Sequence, residues 1–367
     1  MGTLNILIVN AGSSSLKLRL LDDTSQVAAA KDLPNLDPGG MGEALAAFVD
    51  ENPGFEAVGH RVVHGGSRFR EPIVLDENVD EALEALADLA PLHNPPSLRA
   101  IETLRRLRPN LPQVACFDTS FHTNLPQKAA IYAIPASWRQ RWDLRRFGFH
   151  GLSHAWASRR AAELLGHPQE GLRLVTAHLG SGASLAAVAS GRSVDTTMGF
   201  TPMEGLMMAT RSGSVDPGLL MWVQRHGSFT ADEVEAALEH DSGLLGVSRV
   251  SGDIREVVAA AESGNSDARL AYNLYVYRIQ TSVAAMCAAM DGLDGLVFTG
   301  GVGERSPAVR AEVCAGLGFL GIRLDEDLNR ELEQDGVATA VASSTAVLVV
   351  EAREDLEIAR HVRELLG

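Results

Sequence analysis

The stretch LNILIVNAGSSSLKLRLL, Leu4 to Leu21, joins two apolar runs through a polar loop carrying Asn10, Gly12, Ser13, Ser14, Ser15 and Lys17. Two readings compete for it. It is an ordinary hairpin turn with solvated serines, or it is a loop that holds phosphate. In the second case Gly12 lets the backbone approach an anion, serine hydroxyls and N–H groups donate, and Lys17 adds a point charge.

The same scheme recurs downstream. Arg173 to Asp195, RLVTAHLGSGASLAAVASGRSVD, again runs from an apolar strand through a glycine and serine loop into a second strand, with GSGASL matching AGSSSL at an offset of 169 residues. An internal repeat of this kind implies two equivalent domains, each presenting a loop to the cleft between them. A third loop, within LVFTGGVGERS (Leu296 to Ser306), leads from a strand into a helix start, a natural contact for an anion or a nucleotide. Further buried strands are expected at Ala57–Val63, Val114–Phe117, Gly295–Thr299 and Ala346–Val350. Helical spacing covers Asn78–Leu89, Ser97–Arg108, Ser153–Leu165, Ala231–Glu239, Ser266–Ala289, Ser306–Gly316 and Arg353–Leu366, and Pro38 to Gly40 mark an early loop. Strands alternating with helices give an α/β fold.

Composition narrows the function. The 367 residues favour two domains, and 46% hydrophobic with 22% charged residues is ordinary globular content. A net charge of −15 argues against non-specific binding to nucleic acid or anionic membrane, so any anionic ligand must meet local positive charge. Cys116, Cys287 and Cys314 form no CxxC pair, which points to a reducing cytoplasm, and no signal peptide or long apolar span is legible.

Several motifs mislead. Gly316, Gly318 and Gly321 satisfy GxGxxG but follow a helix instead of a strand, and read as a helix stop. No GxxxxGK[ST] is present. His150 and His154 have the spacing of zinc ligands, yet Gly151 stands where a metalloprotease carries glutamate. More promising are Asp118 at a strand's carboxyl end, His150 beside a glycine at a helix start, and Arg61 and Arg211 in glycine-rich segments short of other charge.

NAGSSSLK, HRVVHGG, PLHNPPSL, FDTSFH, RRFGFHGLSH, HLGSGASLAAV, SVDTTMGFTPMEGLMMATRSGSVDP, SGDIRE and FTGGVGERS, in that order from Asn10 onward, resemble the acetate kinase family. The resemblance implies two duplicated actin-like ATPase domains, ribonuclease H-like in fold, with a nucleotide cleft between them. The implied domains are 1–119, joined by a returning helix at 357–367, and 120–356. It implies reversible phosphoryl transfer from ATP to acetate, giving acetyl phosphate and ADP. Mg²⁺ is the implied metal with Mn²⁺ as a substitute, and the implied protein is a cytoplasmic homodimer. The first phosphate loop would be Asn10, Ser13, Ser15 and Lys17, and the second His178, Gly180, Ser181 and Gly182. Asp118, Glu354 and Asn10 would hold the metal. Asp118, Arg61, Arg211, His150, His178 and Asn10 would serve catalysis; Asp253, Ile254, Arg255, Gly301, Val302, Gly303 and Arg305 would hold adenosine; Arg61 would also bind the substrate, with Val63, Leu92, Phe149 and Pro202 seating the methyl group. Ser181 and Arg305 replace the family's usual asparagines. A propionate or butyrate kinase of the same family is the alternative, and an actin- or Hsp70-like nucleotide switch is a more distant one.

Acetate, with a carboxyl like glutamate's at roughly 4.3, is already ionised at pH 7 and needs no general base. Asp118 is therefore expected to bind metal or orient a neighbour.

Overall fold

The computed structural model describes residues 4–12, 15–34, 36, 39–86 and 94–367. Ser13 and Leu92, both expected site residues, lie outside the described residues, and the helix expected over Asn78 to Leu89 ends earlier, at Glu84. The chain divides into two compact units, one of Met1–Thr123, Phe149–Trp156 and Arg353–Gly367, the other of Asn124–Gly148 and Ala157–Ala352.

In the first unit the elements are β1 (Ile6–Ala11), β2 (Ser15–Leu21), β3 (Val27–Pro34), α1 (Gly40–Glu51), β4 (Ala57–Val62), β5 (Ile73–Val74), α2 (Glu77–Glu84), α3 (Asn94–Leu107) and β6 (Gln113–Phe117). The start of α6 (Gly151–Leu165) and all of α15 (Glu354–Leu366) complete it. Its sheet runs β3-β2-β1-β4-β6-β5. The unbroken apolar run of β1 is explained by burial on both faces. Leu7, Val9 and Ala11 pack with Leu16 and Leu18 of β2 and with Leu45 and Phe48 of α1. Ile6 and Ile8 point the other way, toward Ile358, Ala359 and Val362 of α15.

The second unit contains α4 (Gln127–Ala130), α5 (Ala136–Trp142), the remainder of α6, β7 (Arg173–Leu179), β8 (Ala183–Ala189), β9 (Arg192–Thr196), α7 (Pro217–Gly227) and α8 (Ala231–His240). It continues with α9 (Gly243–Ser248), α10 (Ile254–Glu262), α11 (Ser266–Met290), β10 (Gly295–Thr299), α12 (Gly300–Arg305), α13 (Pro307–Ala315), α14 (Glu326–Glu331), β11 (Gly336–Val337) and β12 (Ala346–Val349). Its sheet runs β9-β8-β7-β10-β12-β11.

Strand for strand, the two sheets are the same. In each, the first three strands form an antiparallel meander, the first strand pairs in parallel with the fourth, the fourth pairs in parallel with the sixth, and the fifth lies antiparallel at the edge. A duplication explains this more simply than chance does. The six-residue sequence match does not survive the turn in register, however. The last pair of the first hairpin is Ala11 with Leu16, and that of the second is Leu179 with Ala183, so the second loop is a residue shorter.

The expected strands and the later helices form within a few residues of their anticipated ends, and Gly316 stops α13 as the misleading GxGxxG reading required. The early loop is shorter than expected, because Gly40 already opens α1. This helix lacks a capping side chain, and its buried Met41, Leu45, Phe48 and Val49 supply the helical stripe.

One close approach governs the first unit. A Cβ on Gly59 of β4 would overlap Ile358 Cγ2 and lie 3.0 Å from Val362 Cγ2, so the glycine lets α15 settle onto the sheet. Gly59→Ala is expected to cost about 1–3 kcal/mol in urea unfolding, the usual range for overpacking; an unchanged midpoint would show that α15 does not depend on this approach. Beside Gly59, His60 is buried, its Nε2 is 2.7 Å from Gln113 Oε1, and burial holds its pKa down at about 4. The unfolded chain takes up this proton near pH 6.5 and the folded chain only near 4, so stability falls as pH drops through that window, by roughly 3 kcal/mol at the limit. His60→Gln should flatten this part of the pH–stability profile, and an unaltered profile would contradict the assignment.

Candidate active site

Three neighbouring parallel strands, β1, β4 and β6, bring Asn10, Arg61 and Asp118 to their carboxyl ends. Val9 pairs with His60 and Arg61 with Cys116, and the Asp118 N–H donates to the Val62 carbonyl at 3.0 Å. On the α15 face the side chains alternate in period two. Ile6 and Ile8 lead to Asn10, Ala57 and Gly59 to Arg61, and Val114 and Cys116 to Asp118. Each strand turns from apolar to polar at its last inward position. The helix α15 lays Ile358, Ala359 and Val362 over the apolar part, and its first residue, Glu354, reaches the polar end.

The polar end is a connected cluster. Arg61 grips Asp118 with two parallel hydrogen bonds, Nε to Oδ1 at 2.9 Å and Nη2 to Oδ2 at 2.6 Å. Its Nη1 donates to Asn10 Oδ1 at 3.3 Å and lies 3.7 Å from Glu354 Oε2, while Asn10 Nδ2 donates to the same Glu354 oxygen at 3.4 Å. Asp118 is 1% exposed and Arg61 19%. Burial works against the charge on Arg61, but Asp118 and Glu354 outweigh it and hold the guanidinium firmly protonated. For Glu354, burial raises the pKa first. Arg61 pulls it down, Asp118 pushes it up again, and Lys17 pulls it down. The net shift is upward, because burial together with Asp118 outweighs the two cations.

The start of α6 fixes the other side of Asp118. Gly151 N–H donates to the Asp118 carbonyl at 2.8 Å, and a Cβ on Gly151 would overlap that oxygen. His150, just before it, has a left-handed φ of 55° and accepts from His154 N at 2.9 Å through its carbonyl. Phe149 is buried, its ring 5.3 Å from that of His64, and its carbonyl is 3.1 Å from His122 Nε2. Lys17, on β2 opposite Asn10, is exposed; Ser15 closes the hairpin by accepting from the Gly12 N–H at 2.8 Å. Val63 follows β4 directly.

In the second unit several of the remaining candidates lie on backbone segments that touch one another. Ser181 accepts from the Ala209 N–H at 3.1 Å through its carbonyl, joining the 180–182 hairpin to the loop of Arg211. Gly252 packs on the Ala209 carbonyl, and Gly300, with a φ of 77°, packs on the Leu179 carbonyl at the end of β7. His178, Gly180, Ser181, Gly182, Arg211, Asp253 and Gly301 thus belong to connected backbone segments. Arg211 donates to the Pro202 carbonyl at 3.2 Å and has Glu239 at 3.7 Å; burial lowers its pKa, and Glu239 only partly restores it. Asp253 caps α10 through the Arg255 N–H at 2.9 Å and pairs with the exposed Arg255 side chain, while Ile254 is buried. Val302, Gly303 and the exposed Arg305 form α12 after β10.

Sequence reasoning missed the supports of these groups. Gly59 and Gly151 carry no chemistry of their own, and Arg310 gives no motif signal. Yet Arg310 is fully buried and donates to the carbonyls of Gly303 and Glu304, holding the end of α12 from inside.

Among the described residues, no three His, Cys, Asp or Glu side chains gather into a metal cage. Mg²⁺ does not need one, since it takes one or two carboxylates and completes its shell with phosphates and water. Asp118, Glu354 and the Asn10 amide oxygen are hard oxygen donors gathered at one strand end, where Glu354 lies 3.7 Å from Arg61 and within hydrogen-bond reach of Asn10. The donor set fits the ion. No described helix is long and apolar enough to cross a membrane.

Comparison with known proteins agrees with this architecture. The Acetokinase family matches residues 43–360. A protein named acetate kinase from Synechococcus sp. (strain JA-2-3B'a(2-13)) is 44% identical over 99% of both chains. The crystal structure of Porphyromonas gingivalis acetate kinase superimposes with a TM-score of 0.92 at 36% identity, covering 99% of this chain and 100% of its own. That of a propionate kinase from Francisella tularensis superimposes with a TM-score of 0.90 at 35% identity over 98% of both. The duplicated fold is the actin-like ATPase architecture of these kinases. A match of this length and identity makes the chain a member of the acetokinase family.

Proposed function

We propose that the protein catalyses reversible transfer of the γ-phosphoryl group between ATP and acetate, forming acetyl phosphate and ADP by direct in-line displacement. The observation that carries this reading is the buried, bidentate Arg61–Asp118 pair. A kinase acting on a hydroxyl needs a carboxylate free to take a proton. Here both Asp118 oxygens accept from Arg61, which suits a nucleophile that is already ionised. The obstacle left for the enzyme is repulsion between a carboxylate and a polyphosphate, and positive charge, not base catalysis, removes it.

The roles follow from the groups present. Asp118 takes two of the guanidinium's five N–H donors and Asn10 a third, so Arg61 is held in one orientation with donors left for an anion. Arg211 supplies the second cation to the phosphoryl group in flight. Lys17 and the N–H groups of the two hairpins hold phosphate, and His150 and His178 add donors. Asp253, Ile254, Arg255, Gly301, Val302, Gly303 and Arg305 hold the adenosine end, while Val63, Phe149 and Pro202 shape the methyl pocket. Mg²⁺, held by Asp118 and Glu354 with Asn10, would neutralise the phosphate oxygens when bound.

Two features of the surface and core extend the reading. The helix α7 has no buried residue, and Val215, Leu219, Met221, Trp222 and Phe229 are exposed on or beside it, a surface that a second copy in a homodimer would cover. The three cysteines are free and buried, which suits the cytoplasm.

Trapping with hydroxylamine in the presence of ATP, Mg²⁺ and acetate, propionate or butyrate should yield a hydroxamate, most with acetate. One methylene in an apolar pocket is worth about 1–3 kcal/mol, so the preference is graded. Nucleotide hydrolysis without acid-dependent hydroxamate would reject the reading and favour a nucleotide switch. Arg61→Ala and Arg211→Ala should each lower turnover by roughly 10²–10³, the cost of losing a transition-state donor; near-normal kinetics in either would remove that residue from the mechanism. Glu354→Ala should raise the Mg²⁺ concentration needed for half-maximal rate. An unchanged requirement would leave Glu354 only a favourable charge at a helix N-terminus.

A further inference from the structure

The segment from Thr197 to Ser214 contains no helix or strand, yet it carries both Pro202 and Arg211. Such a loop needs an external support to hold an arginine in place. The backbone beside Arg211 is tied down by the Ala209 N–H to the Ser181 carbonyl at 3.1 Å and the Ser212 N–H to the Leu238 carbonyl at 3.0 Å, and the half of the loop that carries Pro202 is supported by a cluster of three side chains that the reaction does not use. Tyr132 donates to Glu204 Oε2 and accepts from the Phe200 N–H at 2.8 Å. Arg146 donates through Nη2 to Glu204 Oε1 at 2.8 Å, and through Nη1 to the carbonyls of Thr197 and Met198 at 3.0 Å each. The Phe147 N–H adds a bond to the Gly199 carbonyl at 3.0 Å.

The cluster is built tightly against the loop. A Cβ on Gly199 would overlap both Glu204 Oε2 and the Tyr132 hydroxyl oxygen, so glycine is the residue that fits. Next to Glu204, Gly205 exchanges hydrogen bonds with Ser214, N to Oγ at 3.1 Å and carbonyl to N–H at 3.0 Å, which ties the far end of the segment back to the cluster. Arg211 lies inside the closed loop, and its hydrogen-bond acceptor among the described residues is the Pro202 carbonyl at 3.2 Å. Glu239, at 3.7 Å, attracts it without fixing its direction.

We infer that Tyr132, Arg146 and Glu204 form a brace that positions Arg211 through the carbonyl of Pro202. None of the three touches a reacting group; they are positioning residues. The inference rests on the proposed role of Arg211 in phosphoryl transfer.

Tyr132→Phe removes one hydroxyl and little volume, which makes it the sharpest variant. It should lower kcat about tenfold while leaving the KM for ATP within about twofold, as expected when a transition-state contact is misplaced but ground-state binding persists. Glu204→Gln should retain more activity than Glu204→Ala, because it keeps the volume and one acceptor oxygen for Arg146, with its amide N–H turned to the Tyr132 hydroxyl oxygen. The double variant Tyr132→Phe/Arg211→Ala should be no slower than Arg211→Ala alone, since residues acting through one group are not additive. Wild-type kcat in Tyr132→Phe, or effects that multiply in the double variant, would overturn the brace. A second readout does not depend on the reaction. Phenylglyoxal labelling of Arg211, followed by mass spectrometry, should be faster in Tyr132→Phe than in wild type, and an equal rate would overturn the inference even if the proposed reaction stands. Faster labelling in a protein that forms no acyl phosphate would instead keep the brace and reject the reaction.

Discussion

A buried carboxylate must be paired, and in the first unit that requirement of Asp118 organises everything around it. Arg61 and Asp118 satisfy each other through two hydrogen bonds, and breaking such a pair from one side commonly costs about 3–5 kcal/mol. The pair exists because β4 and β6 are adjacent and parallel, because Gly151 lets α6 begin against the Asp118 carbonyl, and because Gly59 lets α15 lie close enough for Glu354 to join. Each apolar position beneath the cluster therefore helps to place it. The core does not only stabilise the site; it sets where three charges stand.

Duplication supplied the frame and divergence supplied the function. Both sheets have one strand plan, but the first ends its parallel strands in Asn10, Arg61 and Asp118, while the second ends them in glycine-rich turns at Gly180 to Gly182 and Gly300 to Gly303. One end concentrates fixed charge, and the other exposes backbone N–H groups and admits close approach. On the proposed reading, a chain with a net charge of −15 holds polyphosphate through cations that are few and locally placed.

Much of this was legible in the sequence. The strands at Arg173 and Gly295 announced themselves as short branched apolar runs, and Asp118 stood out because a carboxylate ends such a run. The helix α1 did not, since its start has glycines where a capping side chain would be, and only its buried stripe reveals it. The repeat was visible as six residues, yet its register broke at the turn, where loop length counts for more than identity. The support shell was invisible for a different reason. Tyr132, Glu204 and Arg146 are distant in sequence, and nothing in spacing tells a tyrosine that donates to a carboxylate from one on the surface. The site's charged residues are local signals, whereas their positioning is a tertiary fact.

Chemical rescue tests the central claim most directly. In Arg61→Ala, Asp118 should remain as a preformed seat for a planar cation, so added guanidinium ion is expected to restore acetate-dependent acyl phosphate formation by about tenfold or more. In Arg61→Ala/Asp118→Asn that seat is gone, and guanidinium should have no effect. Equal rescue in both variants, or none in the first, would contradict the account.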